Sequence, residues 1–390
     1  GTDHETQAHY YYQAPSGYYG LEDKQLVRDL VAGFRVIGEL GPCGEFPEAP
    51  ATQAVSIDEL LGVARWSQHA VKGKLSKGDD MSKEAYQSCV EEVAAGTLVG
   101  PLSSDGVKAR VGDLFVVIPR FCILQGGKPR PIDDGSIYGQ NSTVSAPWRL
   151  TLGGADEVVG ISVSWLRAVR DDRTVVFQLP DGTFLSGMLN DEWTLEEARS
   201  LCGRMADLRK AYRQLAASPG HHFATVVAAW SEEKGEVVFF IARALLFGET
   251  AAVYGFNRVS RFLAVVASRC ADLVLSTYFD DYTQIETEKL AASAEDTLKY
   301  MFGILGFDLA TEPEKDRRFS SVFEPLGVSV DLSRSVQGLV ALAPKPSRMK
   351  KVVADCEHYL EQGQMAGREA KALAGVLRFL REGILAVLVP

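Results

Sequence analysis

Apolar positions follow a helical period near both ends of the chain and fall in short runs between. Residues 57–72 (IDELLGVARWSQHAVK) space their apolar side chains along one helix face, with Asp58 and Glu59 in the first turn, where the dipole favours acids. Residues 82–95 predict a second helix, stopped by Gly96. The apolar runs 114–118 and 121–124 predict strands, the second ahead of a turn at Gly126-Gly127. Residues 174–179 and 183–187 flank Pro180-Asp181-Gly182 and predict a hairpin.

From about residue 200 helices alternate with short strands. Paired strands are predicted at 223–230 and 236–241, a long helix at 250–267, strands at 273–278 and 282–285, a helix at 292–305 and a strand at 322–330. Residues 347–362 and 367–388 predict a helical hairpin broken near Gly363. Residues 1–55, rich in Tyr, Gly, Pro and acid, lack periodicity and predict a loosely structured or truncated segment.

At 390 residues the chain exceeds one ordinary core, and two or three subdomains are expected. No apolar run is long enough to span a bilayer, so no membrane partner is expected. The six cysteines are scattered with no CxxC pair, which argues for reduced thiols in an intracellular compartment and against a zinc site. The net charge of −10 looks wrong for a nucleic-acid protein, but residues 1–60 carry ten acids and only three bases. The remainder is nearly balanced and is free to present a local basic surface.

The sharpest chemical feature is Tyr278-Phe279-Asp280-Asp281, where an apolar strand runs into two carboxylates and out through Tyr282-Thr283-Gln284-Ile285. Hard cations such as Mg2+ take one or two carboxylates plus substrate phosphates. A solvated Asp-Asp turn has the same composition. Asp207 ends another short apolar piece, and neighbouring strands of one sheet are needed to bring it to Asp280. Such a pair suits two-metal phosphoryl displacement, whereas Asp207 alone reads equally as a helix cap. His221-His222 has no acid or Cys at ligand spacing and reads as a turn, and Trp148, Trp165 and Trp230 read as packing.

Taken in order, these motifs resemble the reverse transcriptase family, retrotransposon type, over about residues 90–385. Gly127-Lys128-Pro129-Arg130-Pro131-Ile132-Asp133-Asp134, with Asn141, is similar to the fingers motif. Arg120 is similar to the base placed opposite the incoming triphosphate. Asp207-Leu208-Arg209-Lys210-Ala211-Tyr212 resembles the first palm motif, Leu245-Leu246-Phe247-Gly248 with Phe256-Asn257-Arg258 the second, and Tyr278-Phe279-Asp280-Asp281 the third. Leu305-Gly306-Phe307 with Glu314-Lys315 resembles the fourth, and Phe323-Glu324-Pro325-Leu326-Gly327-Val328 the primer-gripping hairpin.

The resemblance implies an α+β right-hand polymerase fold: an N-terminal extension (1–80), fingers with an inserted hairpin (81–200), a palm (201–330) and a helical thumb (331–390). The palm is expected to be a small antiparallel sheet backed by helices, with Asp207 and Asp280 on adjacent strands. The implied activity is RNA-directed DNA synthesis by two-metal nucleotidyl transfer. Asp207 and Asp280 hold two Mg2+ (or Mn2+) ions, with Asp281 a weaker ligand and Lys315 a proton donor to pyrophosphate. Arg120, Lys128 and Arg130 neutralise the triphosphate. Tyr212 excludes a 2′-hydroxyl, and Phe247 and Gly248 pack against the nascent base pair. Leu326, Gly327, Lys345, Arg348, Lys350 and Lys351 grip template–primer phosphates.

The implied partners are an RNA or DNA template with primer, and dNTPs. Leu246 and Glu249 depart from the family pattern close to the expected nucleotide. No ribonuclease H segment follows the last predicted helix, so the chain is expected to be a fragment or that activity to lie elsewhere. Two alternatives stay open: a catalytically silent protein that binds RNA or RNA–DNA hybrid, and an RNA-directed RNA polymerase, which Tyr212 opposes.

Overall fold

The structure is a computed structural model that describes residues 23–52, 54–75, 81–179, 181–313, 315–382 and 385–388. Expectations placed on residues 1–22, Pro180 and Glu314 lie outside the described residues. In chain order the strands are β1 (Leu98–Leu102), β2 (Val117–Gln125), β3 (Lys128–Asp133), β4 (Thr174–Gln178), β5 (Phe184–Met188), β6 (Leu201–Asp207), β7 (Val226–Ser231), β8 (Glu236–Ala242), β9 (Leu275–Tyr278), β10 (Asp281–Thr287), β11 (Val322–Phe323), β12 (Val328–Asp331), β13 (Leu339–Pro344) and β14 (Leu385–Leu388). The chain is mixed α+β and divides into two units interleaved in sequence, Tyr19–Thr151 with Lys210–Phe262, and Leu152–Arg209 with Leu263–Pro390. Residues 81–200 and residues 201–330 therefore each contribute to both units.

The first unit (Tyr19–Thr151 with Lys210–Phe262) is built on a five-stranded sheet of order β1-β8-β7-β2-β3. It is antiparallel except where β2 runs parallel to β7 over Val117–Pro119. The predicted strand at 114–118 begins only at Val117, because pairing with β7 starts there, and it then continues without a break to Gln125. Helix Ser82–Ala94 packs on this sheet, its buried Cys89 joining Leu98, Ile118, Val227, Val238 and Phe240 in one core. The single helix predicted over 57–72 is two helices, Ile57–Gly62 and Ala64–Leu75, the first closed by a capping box between Ser56 and Glu59.

The N-terminal expectation fails within the described residues. Residues 23–52 are held by specific contacts, with Leu26, Phe34, Val36, Ile37 and Cys43 buried. Arg258 pairs with Asp23 and Asp29 at 2.5 and 2.6 Å, and Phe34 bridges Ala217 in parallel. The segment gains its order from partners about two hundred residues away, which a local periodicity does not register.

In the second unit (Leu152–Arg209 with Leu263–Pro390), β6-β10-β9 form a three-stranded antiparallel sheet. Helix Ala155–Ala168 buries Val158, Val159 and Ile161 in a core shared with Leu201, Val274 and Ile285. Helix Ala291–Ile304 sets Phe302 edge-on to Tyr282 of β10, with ring centroids 5.0 Å apart. A second antiparallel sheet, β11-β12-β13-β14, follows.

The strand predicted at 322–330 is split by Pro325–Gly327, since Pro325 has no N–H for a ladder and Leu326 and Gly327 take positive φ. The C-terminal helical hairpin is Pro346–Gln362 and Gly367–Glu382. The predicted helix does not reach 388, because Leu385–Leu388 pairs with β13 instead. The 174–187 hairpin forms as β4-β5. Among the described residues no helix is long and apolar enough to cross a membrane, and the six cysteines are free thiols.

Candidate active site

The antiparallel register of β6 and β10 sets Asp207 directly opposite Asp281, and Asp281 also pairs with Tyr278 of β9. Phe279 and Asp280 are thus the two residues of a tight hairpin turn. This corrects the expectation that Asp280 itself lies on a strand beside Asp207. Asp281 is the strand partner, and Asp280 stands at the tip, its carbonyl accepting from Leu208 N–H at 3.3 Å. The first turn residue takes positive φ, as hairpin twist favours, but here it is Phe279 at 52° rather than glycine. A bulky residue in that region is held against about 1 kcal/mol or more of strain. Its ring rests edge-on against Tyr278 at 5.0 Å.

Beyond Asp207, β6 is continued by backbone contacts with 308–310. Ala310 N–H donates to the Asp207 carbonyl and Arg209 N–H to the Asp308 carbonyl. Farther along, Lys315 donates its N–H to the Glu312 carbonyl, and its ammonium hydrogen-bonds Asp207 Oδ2. Burial and the charges of Asp280 and Asp207 push the Asp281 carboxyl up to about 6. Asp280 is raised for the same reasons, burial first and then Asp207. Burial alone would lower Lys315, but its hydrogen bond to Asp207 and the charges of Asp207 and Asp280 hold it above the ordinary lysine range.

Three carboxylates and one ammonium therefore share the mouth of this sheet, with negative charge in excess. Among the described residues no three acids, histidines or cysteines converge tightly enough to cage a metal by themselves. Asp207 Oδ1, however, is buried without a hydrogen-bond partner, an oxygen left for a cation. Mg2+ sites of this kind draw the remaining ligands from substrate phosphates and water. These oxygens have the chemistry of hard-cation ligands, and a cation here would need further ligands from outside the chain.

On the same strand, Arg204 is fully buried, the lone base within the apolar run of β6. It pairs with Glu295 and Asp316, each at 3.3 Å, and Lys299 pairs with the same two acids at 2.8 and 3.0 Å. Sequence reasoning passed over this group, although a charged residue in the middle of LCGRMAD was a visible signal. Two residues earlier than Met205, Gly203 supports the ring of Phe323 from β11, and a Cβ at Gly203 would come within 2.3 Å of that ring.

The primer-gripping candidates lie in this second unit as well. Leu326 and Gly327 form the turn between β11 and β12, and Arg348 packs its guanidinium on Gly327. Lys345 binds Glu324 at 2.8 Å, while Lys350 and Lys351 are exposed on helix Pro346–Gln362.

The nucleotide-binding candidates lie in the first unit. Lys128 and Arg130 are exposed on the β2–β3 hairpin. Arg120 is not available as the sequence reading supposed. Its side chain is wholly buried and bound to Asp133 at 2.7 Å and Glu92 at 3.2 Å. Arg213 closes the group, reaching Asp133 at 2.9 Å, Glu92 at 3.1 Å and the Leu245 carbonyl at 2.7 Å. Burial opposes ionisation of Asp133, but Arg120 and Arg213 outweigh it and keep the carboxyl below the usual range.

Around this buried group stand Tyr212, Phe247 and Gly248. Tyr212 is largely buried, edge-on to the exposed ring of Phe247 at 5.8 Å and backed by Phe256 at 4.9 Å. Gly248 has φ of 115°, and a Cβ there would meet the Asp133 carbonyl at 2.1 Å, so only glycine fits. Asn141 fixes the turn, donating to the Gly248 carbonyl at 2.9 Å and accepting from Thr250 N–H at 2.8 Å. Glu249 is buried rather than facing ligand; burial pushes its carboxyl up to about 8, so it is largely neutral at pH 7. His221 is spent structurally, its Nδ1 accepting from Val36 N–H at 3.2 Å. Trp148 and Trp165 are buried, as packing residues are.

No family model matches the chain, and no curated protein matches it. Among solved structures it is similar to a foamy viral protease–reverse transcriptase (dRH) determined in complex with double-stranded DNA. The TM-score is 0.51 and the identity 13%, covering 78% of this chain. The fold is reverse-transcriptase-like. This chain spans 41% of that chain's length.

Proposed function

We propose that this chain carries a template-directed nucleotidyl transfer site, RNA-directed DNA synthesis being the reading its residues support best. The observation that carries the reading is the placement of Asp207 opposite Asp281, with Asp280 at the adjoining hairpin tip and Lys315 bound to Asp207. Asp207 and Asp280 would hold divalent cations, with Asp281 beside them. Bound there, Mg2+ supplies electrostatic stabilisation to the attacking and leaving oxygens of a phosphoryl displacement. Asp207 offers Oδ1 as the open acceptor, and the strained hairpin keeps Asp280 at the tip. Lys315 stays protonated at neutral pH and carries a proton at Nζ for a departing phosphate oxygen. In the first unit, Tyr212 braced by Phe256 is a rigid wall suited to excluding a 2′-hydroxyl, and Phe247 offers a face for a base. Lys128 and Arg130 are the exposed bases suited to a triphosphate.

The test is primer extension on a primed RNA template with Mg2+ and dNTPs. Wild-type protein should extend, and Asp207→Asn and Asp280→Asn should not while still binding template; extension retained by either variant ends this reading. A second reading, nucleic-acid binding without catalysis, is favoured by one observation: Lys315 already occupies Asp207 Oδ2, so an ammonium stands beside the oxygen left for a metal. Wild-type protein that binds primed template but fails to extend it with Mg2+ or Mn2+ would select that reading.

A further inference from the structure

Four side chains of the second unit form a closed ring of alternating charge. Arg204 binds Glu295, Glu295 binds Lys299, Lys299 binds Asp316, and Asp316 returns to Arg204, at 3.3, 2.8, 3.0 and 3.3 Å. Three parts of the chain supply the corners: β6, helix Ala291–Ile304 and Asp316. The ring is neutral overall and anchored on a fully buried guanidinium. Removing a partner from a buried charge of that kind leaves it uncompensated, which is costly.

Asp316 is the corner that matters, because it directly follows Lys315. Both residues donate their N–H groups to the Glu312 carbonyl, at 2.8 and 2.9 Å, so the two share one backbone anchor. Along β6, side chains alternate between the two faces of the sheet, which puts Arg204 and Asp207 on opposite faces. Lys315 and Asp316 thus reach past the same strand to opposite sides. Asp316 is tied to Arg204, and Lys315 is tied to Asp207.

We propose that the Arg204–Glu295–Lys299–Asp316 ring is a positioning device that holds the backbone at Lys315–Asp316 and so sets Lys315 against Asp207. Its value to catalysis rests on the nucleotidyl transfer reading; the clamp itself does not. Arg204, Lys299 and Asp316 touch no reacting atom in this scheme and act through Lys315.

Two readouts on the full chain test it. The first is hydrogen exchange of the peptide covering 311–319. Asp316→Asn and Lys299→Met should speed exchange in that peptide by about tenfold or more, while Lys299→Arg, which keeps the charge, should not. Unchanged exchange in both disrupting variants overturns the clamp. The second is the rate of primer extension. Asp316→Asn should lower kcat by about ten- to a hundredfold with little change in KM for the primed template, and should add nothing further in a Lys315→Ala background. A loss that adds fully to that of Lys315→Ala overturns the positioning role. If wild-type protein does not extend primers, the polymerase reading fails, while the exchange experiment still decides whether that backbone is held.

Discussion

Asp207 and Asp281 face each other across adjacent antiparallel strands, with Asp280 one residue away at the hairpin tip. Burial, followed by the charges of Asp280 and Asp207, pushes the Asp281 carboxyl up to about 6. Its folded-state value lies above its ordinary one of 3.8. Between these values the folded chain keeps a proton that the unfolded chain has lost, so stability falls as pH rises through the window. Asp281→Asn should remove that fall. In metal-free buffer it should raise stability at pH 7 by about 2 kcal/mol while changing little below pH 4. Denaturant melts at the two pH values check this, and an equal shift at both would mean the gain is not electrostatic.

Lys315 holds Asp207 Oδ2, which leaves a cation only Oδ1 on this carboxylate and sets an ammonium beside it. Lys315→Met should therefore tighten divalent binding to the template-free protein, since the ion no longer sits beside an ammonium. A several-fold lower Kd for Mn2+ is expected, on the order of 1 kcal/mol. Calorimetric titration of the two proteins measures it, and weaker binding in the variant would mean that Lys315 assists the cation.

Arg120 shows where sequence reading and structure part. Its place before the GKPRPIDD hairpin marked it as a triphosphate contact, yet it neutralises Asp133 and Glu92 inside the first unit. Arg120→Met would leave those two acids with Arg213 alone. Breaking a buried pair from one side costs about 3–5 kcal/mol, so the variant should unfold at markedly lower denaturant. A midpoint close to wild type would argue that the guanidinium is not buried in solution.

The strands and helices around Asp207 and Tyr278-Phe279-Asp280-Asp281 were legible because local patterns mark them. Short apolar runs end in charge, and a two-residue turn separates β9 from β10. Which aspartate pairs with Asp207 was not legible. Register depends on turn geometry, and shifting it by one residue exchanges Asp280 for Asp281. The ordered segment around Phe34 and the Arg204 ring were also hidden, because their partners are distant in sequence and no local spacing encodes them. Residues 385–388 continue an apolar pattern that suits helix or strand, and pairing with β13 decides between them.

Phe323 lies across Gly203, so the hairpin that carries Leu326 and Gly327 rests on the strand that carries Asp207. Gly203→Ala forces the Phe323 ring aside and should cost about 1–3 kcal/mol, as overpacking does. Restoration by the double variant Gly203→Ala/Phe323→Leu identifies the contact. Failure of the smaller side chain to recover any stability would place the strain elsewhere.

Glu249 supplies a pH test confined to the first unit. Its carboxyl accepts from Leu246 N–H at 3.2 Å, and burial followed by the charge of Asp133 raises it from 4.5 to about 8, while Leu246 and Arg213 pull the other way. Between those values the folded chain holds a proton that the unfolded chain releases. Stability contributed by the neutral form is thus complete below about pH 4.5 and is lost as pH climbs toward 8. Gln keeps an acceptor oxygen for Leu246 and never ionises. Glu249→Gln should match wild type at pH 5 within a few tenths of a kcal/mol and exceed it by about 1–3 kcal/mol at pH 8.5. Chemical denaturation across that range measures the slope. A wild-type curve parallel to that of the variant would mean that Glu249 is ionised in the folded chain and compensated by Arg213.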